Sequence, residues 1–151
     1  MTQKYYEDFD IGFNFKTLSI TVTETHVVNW AGLTMDFYPL HMDAEFCAKT
    51  VFKERIAHGP LIFGMAVGMV GLAKVEGSSI IAWMGVDKMR MLAPVKFGDT
   101  ITVHVEVVER KETSKPSQGL QTWRYTIKNQ RDEAVMVLDM KFLMHRKAAN
   151  A

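Results

Sequence analysis

Arg55-Ile56-Ala57-His58-Gly59-Pro60 leads straight into Leu61-Ile62-Phe63-Gly64-Met65-Ala66-Val67-Gly68-Met69-Val70-Gly71-Leu72-Ala73-Lys74-Val75, and this stretch decides the fold. Between Gly59 and Val75 the only charge is Lys74. Pro60 suits the first position of a helix, where its missing N–H costs nothing. The run falls short of the ~20 apolar residues that span a bilayer, and it carries Gly64, Gly68 and Gly71 inside it. Gly64 and Gly68 form a small-xxx-small pair that lets a helix lie close against a sheet or a second helix. A helix apolar all round has to be enclosed, so the expectation is a buried core helix and no membrane span.

On the C-terminal side the texture turns to strands. Ser79 to Leu92 is strand-like and ends at Ala93-Pro94-Val95-Lys96-Phe97-Gly98-Asp99, where Gly98-Asp99 signals a turn. Thr100 to Glu109 alternates, with Ile101, Val103, Val105 and Val107 on one face. Lys111 to Gly119 is a polar link. Gln121 to Asn129 then sets Trp123, Tyr125 and Ile127 on one face, and Ala134 to His145 does the same with Met136, Leu138, Met140, Phe142 and Met144. On the N-terminal side, Phe13 to Val22 reads as one more strand. Thr23 or Thr25 caps a helix carrying Val27, Val28, Trp30 and Ala31. Gly32 to His41 is irregular around Pro39, and Asp43 caps a short helix through Thr50. Strands joined by short turns form an antiparallel sheet, with the helices in the first half of the chain. The class is α+β, an antiparallel sheet wrapped around a central apolar helix, in one domain over 1–151.

Composition excludes several functions. A hydrophobic content of 48% with 23% charged residues is that of an ordinary globular chain. A net charge of +1 without any dense Lys/Arg block gives no basis for binding nucleic acid. Cys47 is the single cysteine, so no internal disulfide forms, and a reducing compartment is the natural reading. Met1 to Glu7 has no apolar signal-peptide core, and a cytoplasmic protein is expected.

The chemistry concentrates in Thr34-Met35-Asp36-Phe37-Tyr38-Pro39-Leu40-His41. On a straight helix Asp36 and His41 would diverge around the axis. A chain bent at Pro39 lets them converge, and a carboxylate beside an imidazole is suited to moving protons to and from water. Capping of the flanking turns by the same two residues is the competing reading. Gly59 adds a backbone N–H that a ligand can approach closely, at the positive end of a helix suited to a developing oxyanion. His58 reads as orienting the turn before Gly59. Cys47 reads as core, and His26, His104 and His145 as solvated or satisfied by neighbours. Asp36, His41, Asp43 and His58 match no known metal-ligand spacing, so neither metal nor cofactor is expected.

Asp36-Phe37-Tyr38-Pro39-Leu40-His41-Met42-Asp43, then Arg55-Ile56-Ala57-His58-Gly59, resembles the MaoC-like hydratases and dehydratases, hot-dog-fold proteins that include the (R)-specific enoyl-CoA hydratases. Their motif runs Gly-Asp-x-Asn-Pro-Leu-His, followed by a His-Gly pair at the central helix. Met91 to Thr100 resembles the family's Pro-Val-x-x-Gly-Asp stretch. The resemblance implies that Asp36 and His41 hold a water and share acid and base roles, and that the Gly59 N–H bonds a thioester carbonyl. It also implies an acyl-CoA or acyl-carrier-protein substrate and a homodimer joined across a sheet edge. Met35 stands where the motif has glycine, and Tyr38 where it has asparagine. These two, with Pro60, are expected to border the substrate and shape its choice. A hot-dog thioesterase and a non-catalytic acyl-thioester-binding subunit are the alternatives.

Overall fold

A computed structural model describes residues 3–147. A 3-10 turn at Tyr6–Asp8 precedes β1 (Asn14–Lys16), β2 (Ile20–Thr21) and α1 (Glu24–Thr34). Two short helices follow, α2 (Pro39–Met42) and α3 (Ala44–Ala48), and then α4 (Gly59–Ala73). The chain ends in β3 (Ile80–Met91), β4 (Thr100–Glu112), β5 (Gln118–Lys128) and β6 (Ala134–His145). The sheet is antiparallel in the order β1-β4-β5-β6-β3, with β2 also pairing with β4. This is the α+β, hot-dog arrangement: an antiparallel sheet around one apolar helix. Among the described residues no helix is long and apolar enough to cross a membrane.

The alternation in β4, β5 and β6 acts as period-2 patterning should. Ile101, Val103, Val105, Val107, Trp123, Tyr125, Ile127, Leu138, Met140 and Met144 are all buried in one core. From α4 the residues Leu61, Ile62, Ala66, Met69 and Val70 join that core. Their spacing is one helix face. Each large side chain so buried contributes about 1.5–3 kcal/mol, which holds the helix against the sheet.

Four expectations need correction. Phe13 to Val22 is two short strands, because at Thr17 the side-chain Oγ1, 3.1 Å away, accepts the Val103 N–H in place of a backbone carbonyl. The pairing then slips by one residue between β1 and β2. Gly32 to His41 is mostly helical: α1 runs on to Thr34, and Pro39 begins α2 instead of breaking order. The helix after Asp43 closes at Ala48, not at Thr50. Finally, α4 is not enclosed on all sides. Gly64, Val67, Gly68, Gly71 and Leu72 form an exposed stripe, and β3 lies at the sheet edge beside β6.

The N-terminal turn is tied to the sheet by a fully satisfied buried amide. Gln121 Nε2 donates to the carbonyls of Tyr6 (2.8 Å) and Phe9 (3.0 Å), and Trp123 Nε1 donates to Gln121 Oε1 at 2.8 Å. The Tyr6 ring lies against Gly119 and is flanked by the guanidinium groups of Arg110 and Arg146. A Cβ on Gly119 would come within 2.5 Å of that ring. Gly119→Ala is therefore expected to lower the unfolding free energy by about 1–3 kcal/mol, as overpacking does, read from the urea midpoint. An unchanged midpoint would show that Tyr6 moves aside freely.

Candidate active site

Helix α1 ends at Met35, whose φ of 64° is left-handed, and the Met35 N–H donates to the Ala31 carbonyl at 2.8 Å. Glycine takes this C-cap conformation without the steric cost that a side chain meets. The motif's glycine at this position thus has a backbone reason, and Met35 carries the cost. The Met35 side chain is 76% exposed. Asp36 follows, its Oδ1 accepting weakly from the Tyr38 N–H at 3.4 Å. Pro39 then starts α2, which puts His41 in its last turn. Asp43 caps α3, accepting the Phe46 N–H at 2.9 Å, and Cys47, fully buried, points its thiol at the Leu40 carbonyl.

The segment before α4 gathers these pieces. The Ala57 N–H donates to the Val95 carbonyl at 2.8 Å, which seats 55–58 along the β3–β4 connection. Against that seat, His41 Nδ1 donates to the Ile56 carbonyl at 2.7 Å. His58 is fully buried, and its Nε2 donates to the Asp36 carbonyl at 2.9 Å, across 22 positions of sequence. The two imidazoles stack with centroids 3.8 Å apart and planes 31° apart. One carboxylate oxygen of Asp36 and one nitrogen from each histidine lie within 4.8 Å of one another. Sequence reading placed Asp36 and His41 together, and the fold does so.

Carbonyl oxygens only accept, so these two bonds set the tautomers. His41 carries its proton on Nδ1 and leaves Nε2 as a lone pair. His58 carries its proton on Nε2, and its Nδ1 is buried with no partner among the described residues. Burial pushes the His41 imidazole below its ordinary value, the Ile56 bond works the other way, and the His58 ring lowers it further. A neutral, hydrogen-bond-accepting His41 at pH 7 is the result.

A metal ion does not suit this set. The His58 nitrogen facing the Asp36 carboxylate, Nε2 at 4.0 Å, is committed to the Asp36 carbonyl, its Nδ1 is buried, and Asp43 is engaged as a cap, which leaves the Asp36 carboxylate and His41 Nε2 accessible. That is short of the three protein ligands a catalytic zinc site uses.

Gly59 is the first residue of α4, and Pro60, exposed, is the second, one position later than expected. The first bond closing the helix runs from the Ile62 N–H to the His58 carbonyl at 3.2 Å. The Gly59 N–H precedes it and makes no hydrogen bond among the described residues, at the positive end of the helix dipole. Beside Gly59 opens an apolar cavity of about 290 Å³, floored by Ile62, Val135 and Met136 and bordered by Met91 and Leu92. Met35, Tyr38 and Pro60 do not line it. Tyr38 is half exposed, with its ring edge-on to His41 and Phe46 at 6.4 and 6.5 Å. Two features escaped the sequence reading: the grip of His58 on the Asp36 carbonyl, and Met91. The His58-Gly59 pair was the only signal for the first, and Met91 appeared only as the start of the stretch quoted for the family resemblance.

The sequence model described as the MaoC like domain matches residues 8–129. The chain belongs to the MaoC-like family. It is 36% identical over 103 residues to an (R)-specific enoyl-CoA hydratase of Rhodospirillum rubrum, covering 68% of this chain and 69% of that one. It is 32% identical over 136 residues to Protein MaoC of Klebsiella aerogenes, covering 85% of this chain but only 40% of that longer one. Among solved structures, a monoamine oxidase regulatory protein from Archaeoglobus fulgidus superposes with a TM-score of 0.90 at 39% identity, covering 95% of both chains.

The His41 environment has a direct readout. In an NMR titration of the histidine rings, His41 is expected to titrate below 6.5, the value it departs from. It is therefore neutral at pH 7 and gains its proton only as pH falls below that point. A midpoint at or above 6.5 would mean that Asp36 outweighs burial.

Proposed function

We propose that this chain hydrates a 2-enoyl thioester, CoA-linked, to the 3-hydroxyacyl thioester, or runs the reverse dehydration. The meeting of Asp36 with His41, whose Nε2 is free, and an unbonded Gly59 N–H at the helix start directly after His58 carry the reading. The naming of a MaoC-family relative as an (R)-specific enoyl-CoA hydratase supports it. In this scheme a water sits between Asp36 and His41. His41 Nε2 takes one of its protons as the oxygen bonds to Cβ. The electron pair of the double bond moves onto the thioester carbonyl as an enolate, which the Gly59 N–H and the helix dipole stabilise. A proton returned from the Asp36/His41 pair to Cα completes the addition, so one water is consumed and nothing else changes. His58 acts through the other two groups: it holds the Asp36 backbone and stacks on the His41 ring. Tyr38, whose ring lies edge-on to His41 at 6.4 Å, is proposed to border the substrate.

The active unit is proposed to be a homodimer. Trp83 and Met84, 56% and 55% exposed, lie on the edge strand β3. Phe63 of α4, next to the exposed stripe, packs against Trp83 with ring centroids 6.2 Å apart. Edges of this kind are covered in stable proteins, and a second copy offers the same edge in return. Light scattering is expected to give twice the chain mass, and Trp83→Asp to shift the protein towards monomer. A wild-type monomer at micromolar concentration would count against the dimer.

Loss of enoyl-thioester absorbance is the assay for the chemistry. Asp36→Asn and His41→Gln are each expected to lose about 10²–10⁴-fold in kcat, the usual weight of a positioned acid or base. Thiol release is followed in parallel, since hydrolysis would reveal a thioesterase. Equal turnover by all three proteins would remove Asp36 and His41 from the mechanism.

A further inference from the structure

Met91 is the last residue of β3 and pairs with Met136 of β6. Its side chain turns over the start of α4: Cε and Sδ lie 3.0 and 3.2 Å from where a Cβ on Gly59 would stand. The same side chain borders the apolar cavity beside Gly59, whose floor is made by Ile62, Val135 and Met136, each about 1% exposed. Every side chain lining that cavity is apolar, so the polar contacts it offers come from backbone groups such as the Gly59 N–H. Met91 itself is 51% exposed and sits at the rim, between Gly59 and solvent.

We propose that Met91 is the specificity-determining residue for the acyl chain: its thioether forms the movable wall between Gly59 and the apolar cavity, and so sets how long a tail the cavity accepts. The inference rests on the reading of Gly59 as the donor to the thioester carbonyl. An acyl group whose carbonyl is held at Gly59 has this cavity as its apolar neighbour, and Met91 is what the tail passes. Methionine is unbranched and soft, suited to a wall that yields by changing rotamer. The cavity, about 290 Å³, is nearly twice the ~150 Å³ that holds a benzene ring, so it has room for an apolar tail. Met35, the methionine that departs from the family motif, is absent from the cavity wall; of the two methionines that line it, Met136 is buried in the floor and Met91 stands exposed at the rim.

The test is calorimetric binding of a ladder of saturated acyl-CoAs, from butyryl to palmitoyl, to the intact protein. The wild type is expected to gain roughly fourfold in affinity per methylene until the cavity fills, then to level off. Met91→Ala should move the levelling point to longer chains, and Met91→Phe to shorter ones. For the first chain beyond the wild-type limit, Met91→Ala should bind roughly fourfold tighter or more, about what one further buried methylene supplies. One shared levelling point in all three proteins, or no binding anywhere on the ladder, would overturn the inference. Binding does not depend on turnover. Shifted ladders in a protein that does not hydrate enoyl-CoA would therefore support the role of Met91 while removing the hydration reading.

Discussion

Burial of Leu61, Ile62, Ala66, Met69 and Val70 against the inner face of the sheet holds α4 in place, and whatever sits at its N-terminus inherits that position. A helix held along one face keeps its axis and its first turn steady. The Gly59 N–H is left without a partner by the geometry of any helix start, and Pro60 behind it has no N–H to compete. Core packing thus aims a fixed donor at one spot, with no side chain involved.

The second half of the site is bound to the first by backbone carbonyls. His41 is anchored through Nδ1 to Ile56, and the Asp36 main chain is anchored through His58. Ile56 and His58 flank Ala57, which is itself bonded to Val95. Three loop residues ahead of α4 therefore hold the helix start, the imidazole and the carboxylate-bearing loop in register. The same two hydrogen bonds place the protons of both imidazoles and leave His41 Nε2 as an acceptor. Burial adds to this by disfavouring a charge on His41.

Much of this was legible in the chain. The patterns of Ile101 to Val107, Trp123 to Ile127 and Met136 to Met144 announced half-buried strands, because period-2 alternation leaves a strand one apolar face. Asp36, Pro39, His41 and the His58-Gly59 pair stood out because their chemistry is unusual between two helix-like patterns. The extent of local order was less readable. Pro39 looked like an interruption, yet at a first helical position its fixed φ begins a turn. Thr17 looked like any polar strand residue, yet its hydroxyl replaces a ladder carbonyl. The uniformly apolar α4 argued for burial on all sides. Its exposed stripe and the β3 edge became visible only once the sheet order was known.

By itself the sequence determined the class, the antiparallel hairpins, the apolar helix and the identity of the residues able to move protons, since periodicity and side-chain chemistry are local properties. The tertiary structure decided which groups meet. His58 finds the Asp36 carbonyl across 22 positions, and Met91 covers Gly59 from the far edge strand. The first goes with the seat that Val95 offers Ala57, and the second with β3 lying beside β6. They are long-range, and no local pattern encodes them. The stretch Arg55–Val75 named the helix; only its packing against the sheet showed which residues surround Gly59.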